Sequence, residues 1–129
     1  MKNIAVIGTG VIGTGWILRF LANDIKVKAF DKNSRQINFL KAEIARTNLI
    51  IKKLYNTKIN FKNLEIVDSI EEAVKNADLI QENVPERLNL KKDVIKNISK
   101  YSPSNAIIAS SSSGLLPSDY NQNVLIQKD

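Results

Sequence analysis

The sequence contains no cysteine, no histidine and no long hydrophobic run. The absence of cysteine excludes a disulfide framework and thiolate metal sites, and it suits a reducing compartment. No apolar run approaches the roughly 20 residues that a membrane span requires. The first residues lead directly into a short apolar segment, without the pattern of a signal peptide. We therefore expect a soluble, cytoplasmic protein with no membrane association and no metal site.

Basic residues outnumber acidic ones, with 19 lysines and arginines against 13 aspartates and glutamates, a net charge of +6. The lysines are spread along the chain, and neither an aromatic stacking platform nor a recognition-helix motif accompanies them. A solvated basic surface is therefore favoured over nucleic-acid binding. A narrower alternative is that some lysines attract an anionic substrate such as a coenzyme A thioester. These are Lys41, Lys52, Lys53, Lys58 and Lys62.

A glycine-rich turn follows the first apolar run, and an acid closes the second. The turn reads Gly8, Thr9, Gly10, Val11, Ile12, Gly13, and Asp31 lies eighteen residues beyond its last glycine. This order and spacing are typical of a dinucleotide-binding βαβ unit. The alternative is the same turn in an α/β domain that binds no cofactor.

Each glycine of the turn has a distinct expected role. Gly8 can adopt the backbone angles of a tight strand-to-helix turn. Gly10 lacks a Cβ, so a pyrophosphate can approach the main chain where the N–H groups of the next helix point toward it. Gly13 allows that helix to lie close to the sheet. The whole turn is therefore predicted to bind the cofactor.

Asp31 is predicted to accept hydrogen bonds from the adenine ribose hydroxyls and to repel a 2′-phosphate. This favours NAD over NADP as the cofactor. Lys32 and Arg35 lie close enough in sequence to weaken that preference.

Strands and helices alternate along the chain, which predicts an α/β fold, a Rossmann-type doubly wound, mostly parallel sheet in a single domain over residues 1–129. The first helix is expected over residues 11–23, with a buried stripe at Ile12, Trp16 and Phe20. Ser34 is expected to cap a long helix to about residue 55, and Ser69 to open a capping box. Further strands are predicted at 64–67, 77–83, 106–109 and 124–126, and a further helix at 86–99.

Three segments resemble the NAD-binding domain of the 3-hydroxyacyl-CoA dehydrogenase family, in particular its carnitine 3-dehydrogenase and lambda-crystallin branch. They are residues 8–16, residues 77–91 (ADLIQENVPERLNLK) and residues 110–118 (SSSSGLLPS). The resemblance implies that Glu86 and Lys91 lie beside the nicotinamide end of NAD. It also implies that Ser110 is catalytic and hydrogen-bonds the 3-hydroxyl or 3-keto oxygen of the substrate.

Without the resemblance, the same residues have simpler interpretations. Glu86 could be an acid favoured at a helix N-terminus, and the serines a polar loop. Glu82 and Glu86 could also form a catalytic carboxylate pair, but Pro85 argues against one continuous helix that would place them on one face.

The resemblance also implies a general-base histidine and a helical second domain, and the 129 residues contain neither. We therefore expect a cofactor half-site that does not turn over alone, from an enzyme acting on L-carnitine or on a 3-hydroxyacyl-CoA in fatty acid metabolism. The alternatives are a non-catalytic NAD-binding module or relic, and one half of a split dehydrogenase completed by a separate helical chain. An apolar face left by the missing domain would favour a homodimer.

Overall fold

The computed structural model describes residues 2–55, 59–84, 88–110 and 124–126. The strands are β1 (Asn3–Ile7), β2 (Lys26–Phe30), β3 (Leu64–Ile66), β4 (Leu79–Glu82), β5 (Ile107–Ser110) and β6 (Val124–Ile126). The helices are α1 (Val11–Ala22), α2 (Ser34–Tyr55), α3 (Ile70–Val74) and α4 (Leu88–Tyr101), with a short 3-10 turn at Phe61–Asn63. The elements thus alternate as the sequence predicts.

The six strands form one sheet in the order β3-β2-β1-β4-β5-β6, and every neighbouring pair is parallel. The predicted Rossmann-type sheet is therefore confirmed. Apolar side chains are buried on both faces, one cluster around Ile80 and Ile98 and the other around Val27 and Leu40. The strand order changes direction between β1 and β4, and ligands of such sheets bind at the carboxyl ends of the strands at this point.

The buried face of α1 is shifted by one residue along the sequence relative to the prediction. Gly13, Ile17 and Leu21 face the sheet. The predicted stripe at Ile12, Trp16 and Phe20 is therefore wrong. Gly13 must lie against the turn that precedes the helix, and this contact turns the next residues of its row, four and eight positions on, toward the sheet. The predicted aromatic pair stacks at the flank of the helix, with ring centroids 5.7 Å apart.

The start of α2 is capped one residue earlier than predicted. The Asn33 Oδ1 atom accepts a hydrogen bond of 2.9 Å from the Arg35 N–H, so Asn33 takes the capping role expected of Ser34. An asparagine side chain satisfies a helix N-terminus as well as a serine does, and periodicity does not distinguish them. The predicted cap of α3 is confirmed, since Ser69 Oγ accepts from the Glu72 N–H at 3.1 Å.

Within the described ranges, no helix combines the length and the apolar character needed to cross a bilayer.

Asp78 joins the beginning of β1 to the beginning of β4. Its Oδ2 atom accepts from the backbone N–H groups of Lys2 and Asn3, both at 3.0 Å. These hydrogen bonds, that from Asn3 first, lower the pKa of the Asp78 carboxyl below its usual value. Such a group stabilises the fold above its unfolded pKa of about 3.9, and the contribution is lost as the pH falls through the lower folded pKa.

We therefore expect Asp78→Asn to lower the urea midpoint of the chain at pH 7 and pH 5. The difference from the unsubstituted chain should shrink as the pH falls below about 4, because the unfolded chain protonates Asp78 there and the folded chain follows only at its lower pKa. Unfolding curves at several pH values measure this, with Asp68→Asn, which removes the charge of an exposed aspartate, as the control. A difference that persists unchanged at pH 2.5 would contradict the assignment.

Candidate functional site

A cleft of about 900 Å³ opens at the carboxyl ends of β1, β2 and β4. One wall is the glycine turn with the first residues of α1, and the opposite wall is a face of α4. Lining residues outside the turn include Phe30, Asp31, Asn83, Leu90 and Val94. The cleft lies at the switch point of the sheet, where a ligand is expected.

Two glycines of the turn are required by the protein itself. Gly8 has a φ of +95°, a conformation that side chains disfavour, and its N–H donates to the Phe30 carbonyl at 2.9 Å. A Cβ on Gly13 would lie 1.7 Å from the Gly8 carbonyl oxygen, so α1 can approach the turn only without a side chain there.

Gly10 has a different explanation. Among the described residues, the nearest atom to a Cβ at this position would belong to the Gln36 side chain, at 3.6 Å, which is an ordinary contact. Its φ of −69° is open to any residue. Since packing does not demand glycine and the residue lines the cleft, the missing side chain fits a ligand that approaches the main chain closely.

The N-terminus of α1 faces this space without a side-chain cap from any described residue. The first N–H groups of a helix have no partner within the helix and attract an anion, and the helix dipole adds to the attraction. Val11 and Ile12, which begin the helix, are 77% and 49% exposed and line the cleft. The turn therefore has the backbone donors and the space that a pyrophosphate requires.

The Asp31 carboxylate is held at the end of β2. Its Oδ2 accepts from the Thr9 N–H and its Oδ1 from the Asn33 N–H, both at 2.8 Å. A carboxylate has about four acceptor positions, so these bonds leave capacity for hydroxyl donors. Lys32 also lines the cleft, and Arg35 is exposed without being among its described lining residues. A hydrogen bond thus holds the Asp31 carboxylate against the glycine turn.

Asn83 is a structural residue of the site that the sequence did not indicate. Its Nδ2 donates to the carbonyl oxygens of Ile7 and Gly8 at 3.4 and 3.3 Å. Its Oδ1 accepts from the Gln81 side chain at 3.1 Å. The amide therefore ties the end of β4 to the turn after β1. An asparagine after a strand is common in loops, so nothing in the sequence distinguishes it.

Beneath the cleft, three polar side chains from three elements form a buried cluster, which we call the Glu82 cluster: Glu82, Lys91 and Ser110. Each is at most 1% exposed. Glu82 Oε1 accepts from Ser110 Oγ at 2.7 Å and pairs with Lys91 Nζ at 3.1 Å, and Glu82 Oε2 accepts from the Val84 N–H at 2.6 Å. The structure thus brings the predicted Lys91 and Ser110 together through an acid that the sequence considered only as a partner of Glu86.

Glu86 and Pro85 lie outside the described residues, as does the serine segment after Ser110 and with it most of the segment that resembles the family there. The structure therefore leaves the Glu82 and Glu86 pair untested. Within the described residues, no three acidic side chains converge in a way that could hold a metal ion.

The Glu82 cluster fixes the direction of a hydrogen bond. A carboxylate only accepts, so the proton shared between Ser110 and Glu82 belongs to the serine. A serine hydroxyl has a single proton to donate. In this arrangement the Ser110 proton is directed to Glu82 Oε1.

Comparison with known proteins gives a consistent result. Residues 3–128 match the family described as 3-hydroxyacyl-CoA dehydrogenase, NAD binding domain. An L-carnitine dehydrogenase of Oceanobacillus iheyensis is 50% identical over 123 residues, which cover 92% of this chain and 39% of that protein. The chain thus spans about two fifths of the length of this relative.

Two solved structures have the same fold. A diketoreductase superposes with a TM-score of 0.83 at 28% identity, over 98% of this chain and 49% of its own. An (S)-3-hydroxybutyryl-CoA dehydrogenase from Ralstonia eutropha gives a TM-score of 0.86 at 18% identity, over 98% and 48%. At that identity the second likeness concerns the fold alone.

Proposed function

Because the chain belongs to the family of 3-hydroxyacyl-CoA dehydrogenase NAD-binding domains, we propose that it is the cofactor-binding part of a dehydrogenase that interconverts a 3-hydroxy compound and its 3-keto form. The family's cofactor is NAD. The observation that carries the proposal is Gly10, whose missing side chain no contact with the described residues requires and which lies at an uncapped helix N-terminus beside Asp31.

We assign separate parts of this cofactor to different residues of the chain. In this proposal, the turn of residues 8–13 and the first N–H groups of α1 hold the pyrophosphate. Asp31 accepts from the adenine ribose hydroxyls. By resemblance to the family, Glu86 and Lys91 lie toward the nicotinamide end. When bound, NAD supplies the two-electron redox chemistry of the reaction.

For the substrate we propose L-carnitine, because the relative with 50% identity is an L-carnitine dehydrogenase. A 3-hydroxyacyl-CoA, with a place in fatty acid metabolism, is the alternative that the family description supports. By resemblance to the family, Ser110, which the structure buries beneath the cleft, is the residue proposed to hydrogen-bond the 3-hydroxyl or 3-keto oxygen of the substrate. Both substrates present this hydroxyl, so Ser110 does not distinguish them.

The experiment that tests the cofactor site is a calorimetric titration with NADH and, in parallel, NADPH. We expect micromolar binding of NADH and binding of NADPH weaker by about tenfold or more, because the Asp31 carboxylate repels a 2′-phosphate. In Asp31→Asn, NADH affinity should fall by about tenfold, since a hydrogen bond to a charged group is worth about 1.5–3 kcal/mol. The ratio of NADH affinity to NADPH affinity should decrease as well.

The control is Glu65→Gln, which removes an exposed acid of β3 that is not among the described lining residues of the cleft. It should bind NADH like the unsubstituted chain. Equal affinity of Asp31→Asn and the unsubstituted chain for both nucleotides would contradict the role of Asp31. No binding of either nucleotide to the unsubstituted chain would refute the proposed function.

A further inference from the structure

Glu82 is the centre of the Glu82 cluster and is completely buried. It is the last residue of β4, and its strand partner in the adjacent β5 is Ser110, also the last residue of its strand. Lys91 reaches the same carboxylate from α4. Three elements therefore meet at one ionised group below the carboxyl edge of the sheet.

The energetics of such a group indicate a role other than stability. Removing two charges from water is costly, and a buried ion pair is often no more stabilising than apolar side chains of the same size. What a buried, fully hydrogen-bonded carboxylate does provide is fixed geometry for the groups that donate to it. Here these groups are the Ser110 hydroxyl, the Lys91 ammonium and the Val84 N–H.

The location of the cluster connects it to the cleft. Glu82, Lys91 and Ser110 are not among the described lining residues, but Val84 and Leu90, their neighbours in the chain, are. Of the hydrogen bonds and ion pairs that join this carboxylate to Val84, Ser110 and Lys91, the bond from the Val84 N–H to Glu82 Oε2 is the shortest, at 2.6 Å. Glu82 thus acts on the cleft through the backbone and side chains that it holds.

We propose that Glu82 is a positioning residue, whose buried carboxylate sets the Val84 backbone at the cleft wall and the hydroxyl direction of Ser110. The inference rests on the proposed cofactor site, and it assigns to Glu82 the preorganisation of that site. The charge of Glu82 is then required for cofactor affinity, independently of its contribution to stability.

The test compares Lys91→Met with the double variant Glu82→Gln/Lys91→Met, so that neither protein contains the lysine. Lys91→Met leaves a buried carboxylate without its cation, and adding Glu82→Gln removes that charge. We expect the second substitution to raise the urea midpoint and, at the same time, to weaken NADH binding by about tenfold, the loss that corresponds to one charge-assisted hydrogen bond. If Glu82 had only a structural role, removing its charge would raise the urea midpoint and the NADH affinity together. An increase in both would therefore overturn the proposal.

A second measurement does not depend on NADH. Amide hydrogen exchange of Val84, compared with that of Ile80 in the buried part of β4, reports local opening against global unfolding. In the double variant we expect the exchange of Val84 to accelerate by about tenfold relative to Ile80. Val84 and Ser110 donate to different oxygens of Glu82, and a glutamine has an acceptor oxygen at only one of these two positions. Unchanged relative exchange would overturn the proposal.

If the Lys91→Met protein does not fold, the exchange measurement still tests the proposal, because it compares the double variant with the unsubstituted chain. If the unsubstituted chain fails to bind NADH, the proposed function fails, and Val84 exchange still decides whether Glu82 positions the wall. Glu43→Gln/Arg46→Met removes an ion pair in which Arg46 is 62% exposed, and it should change neither readout.

Discussion

Replacing Gly13 with alanine is expected to unfold the chain or to lower its free energy of unfolding by about 3 kcal/mol or more. The added Cβ would lie 1.7 Å from the Gly8 carbonyl oxygen, far inside contact distance, and 2.8 Å from the Gly8 carbonyl carbon. Overpacking typically costs about 1–3 kcal/mol even where side chains can move away. Here the neighbour is backbone, so α1 must shift from the sheet. Urea unfolding followed by circular dichroism measures the loss.

Gly15→Ala is the matched control in the same helix. A Cβ on Gly15 would have no atom of the described residues within 4 Å, and alanine is favoured over glycine inside a helix by about 0.5–1 kcal/mol. The two substitutions should therefore act in opposite directions, although they are two residues apart. A Gly13→Ala protein as stable as Gly15→Ala would show that α1 does not lie where the structure has it.

Replacing Gly10 with alanine is expected to abolish most of the NADH affinity while the fold is retained. The nearest atom to the new Cβ is 3.6 Å away, so the free energy of unfolding should change by no more than about 1 kcal/mol, the scale of an N-cap substitution. The methyl group would separate the pyrophosphate from the N–H groups of α1. Losing two charge-assisted hydrogen bonds of about 1.5 kcal/mol each weakens binding by about 100-fold.

Titration calorimetry and a thermal shift with saturating NADH check this prediction together, because a ligand raises the stability of a protein only when it binds the folded form. Gly15→Ala is again the control and should bind NADH normally. A Gly10→Ala protein that keeps full affinity would place the cofactor away from the glycine turn. One that is unfolded would mean that packing, and not the ligand, requires this glycine.

The residues of the glycine turn predict that feature by themselves, whereas the residues of the Glu82 cluster do not predict their contacts. Ser110 and Lys91 were identified through resemblance alone, since a serine and a lysine in isolation indicate no chemistry. The sequence indicated Glu82 only as a possible catalytic partner of a nearby acid, Glu86. The bond between Glu82 and Ser110 joins residues 28 positions apart, and it exists because β4 and β5 are parallel neighbours in a particular register.

Patterns that depend on one or two elements were predicted well. The order of strands and helices, the capping of α3 and the βαβ unit with its closing acid follow from hydrophobic periodicity and from local backbone geometry, which the sequence records directly. The buried face of α1 was not predicted correctly, because three apolar residues at spacing four looked equivalent to the row that contains Gly13. Periodicity measures the width of an apolar face, and it does not say which edge of it meets the sheet.

The sequence by itself determined a parallel α/β fold and a glycine turn followed by an acid, Asp31, after the second strand, because glycine conformations, helix caps and apolar spacing are local properties. Only the tertiary structure separated Gly13, which packing requires, from Gly10, at which a Cβ would make only an ordinary contact with the described residues. It also decided that Glu82 holds Lys91 and Ser110. Both depend on distances between atoms of different elements, and these are set by the packing of helices on the sheet and by strand register.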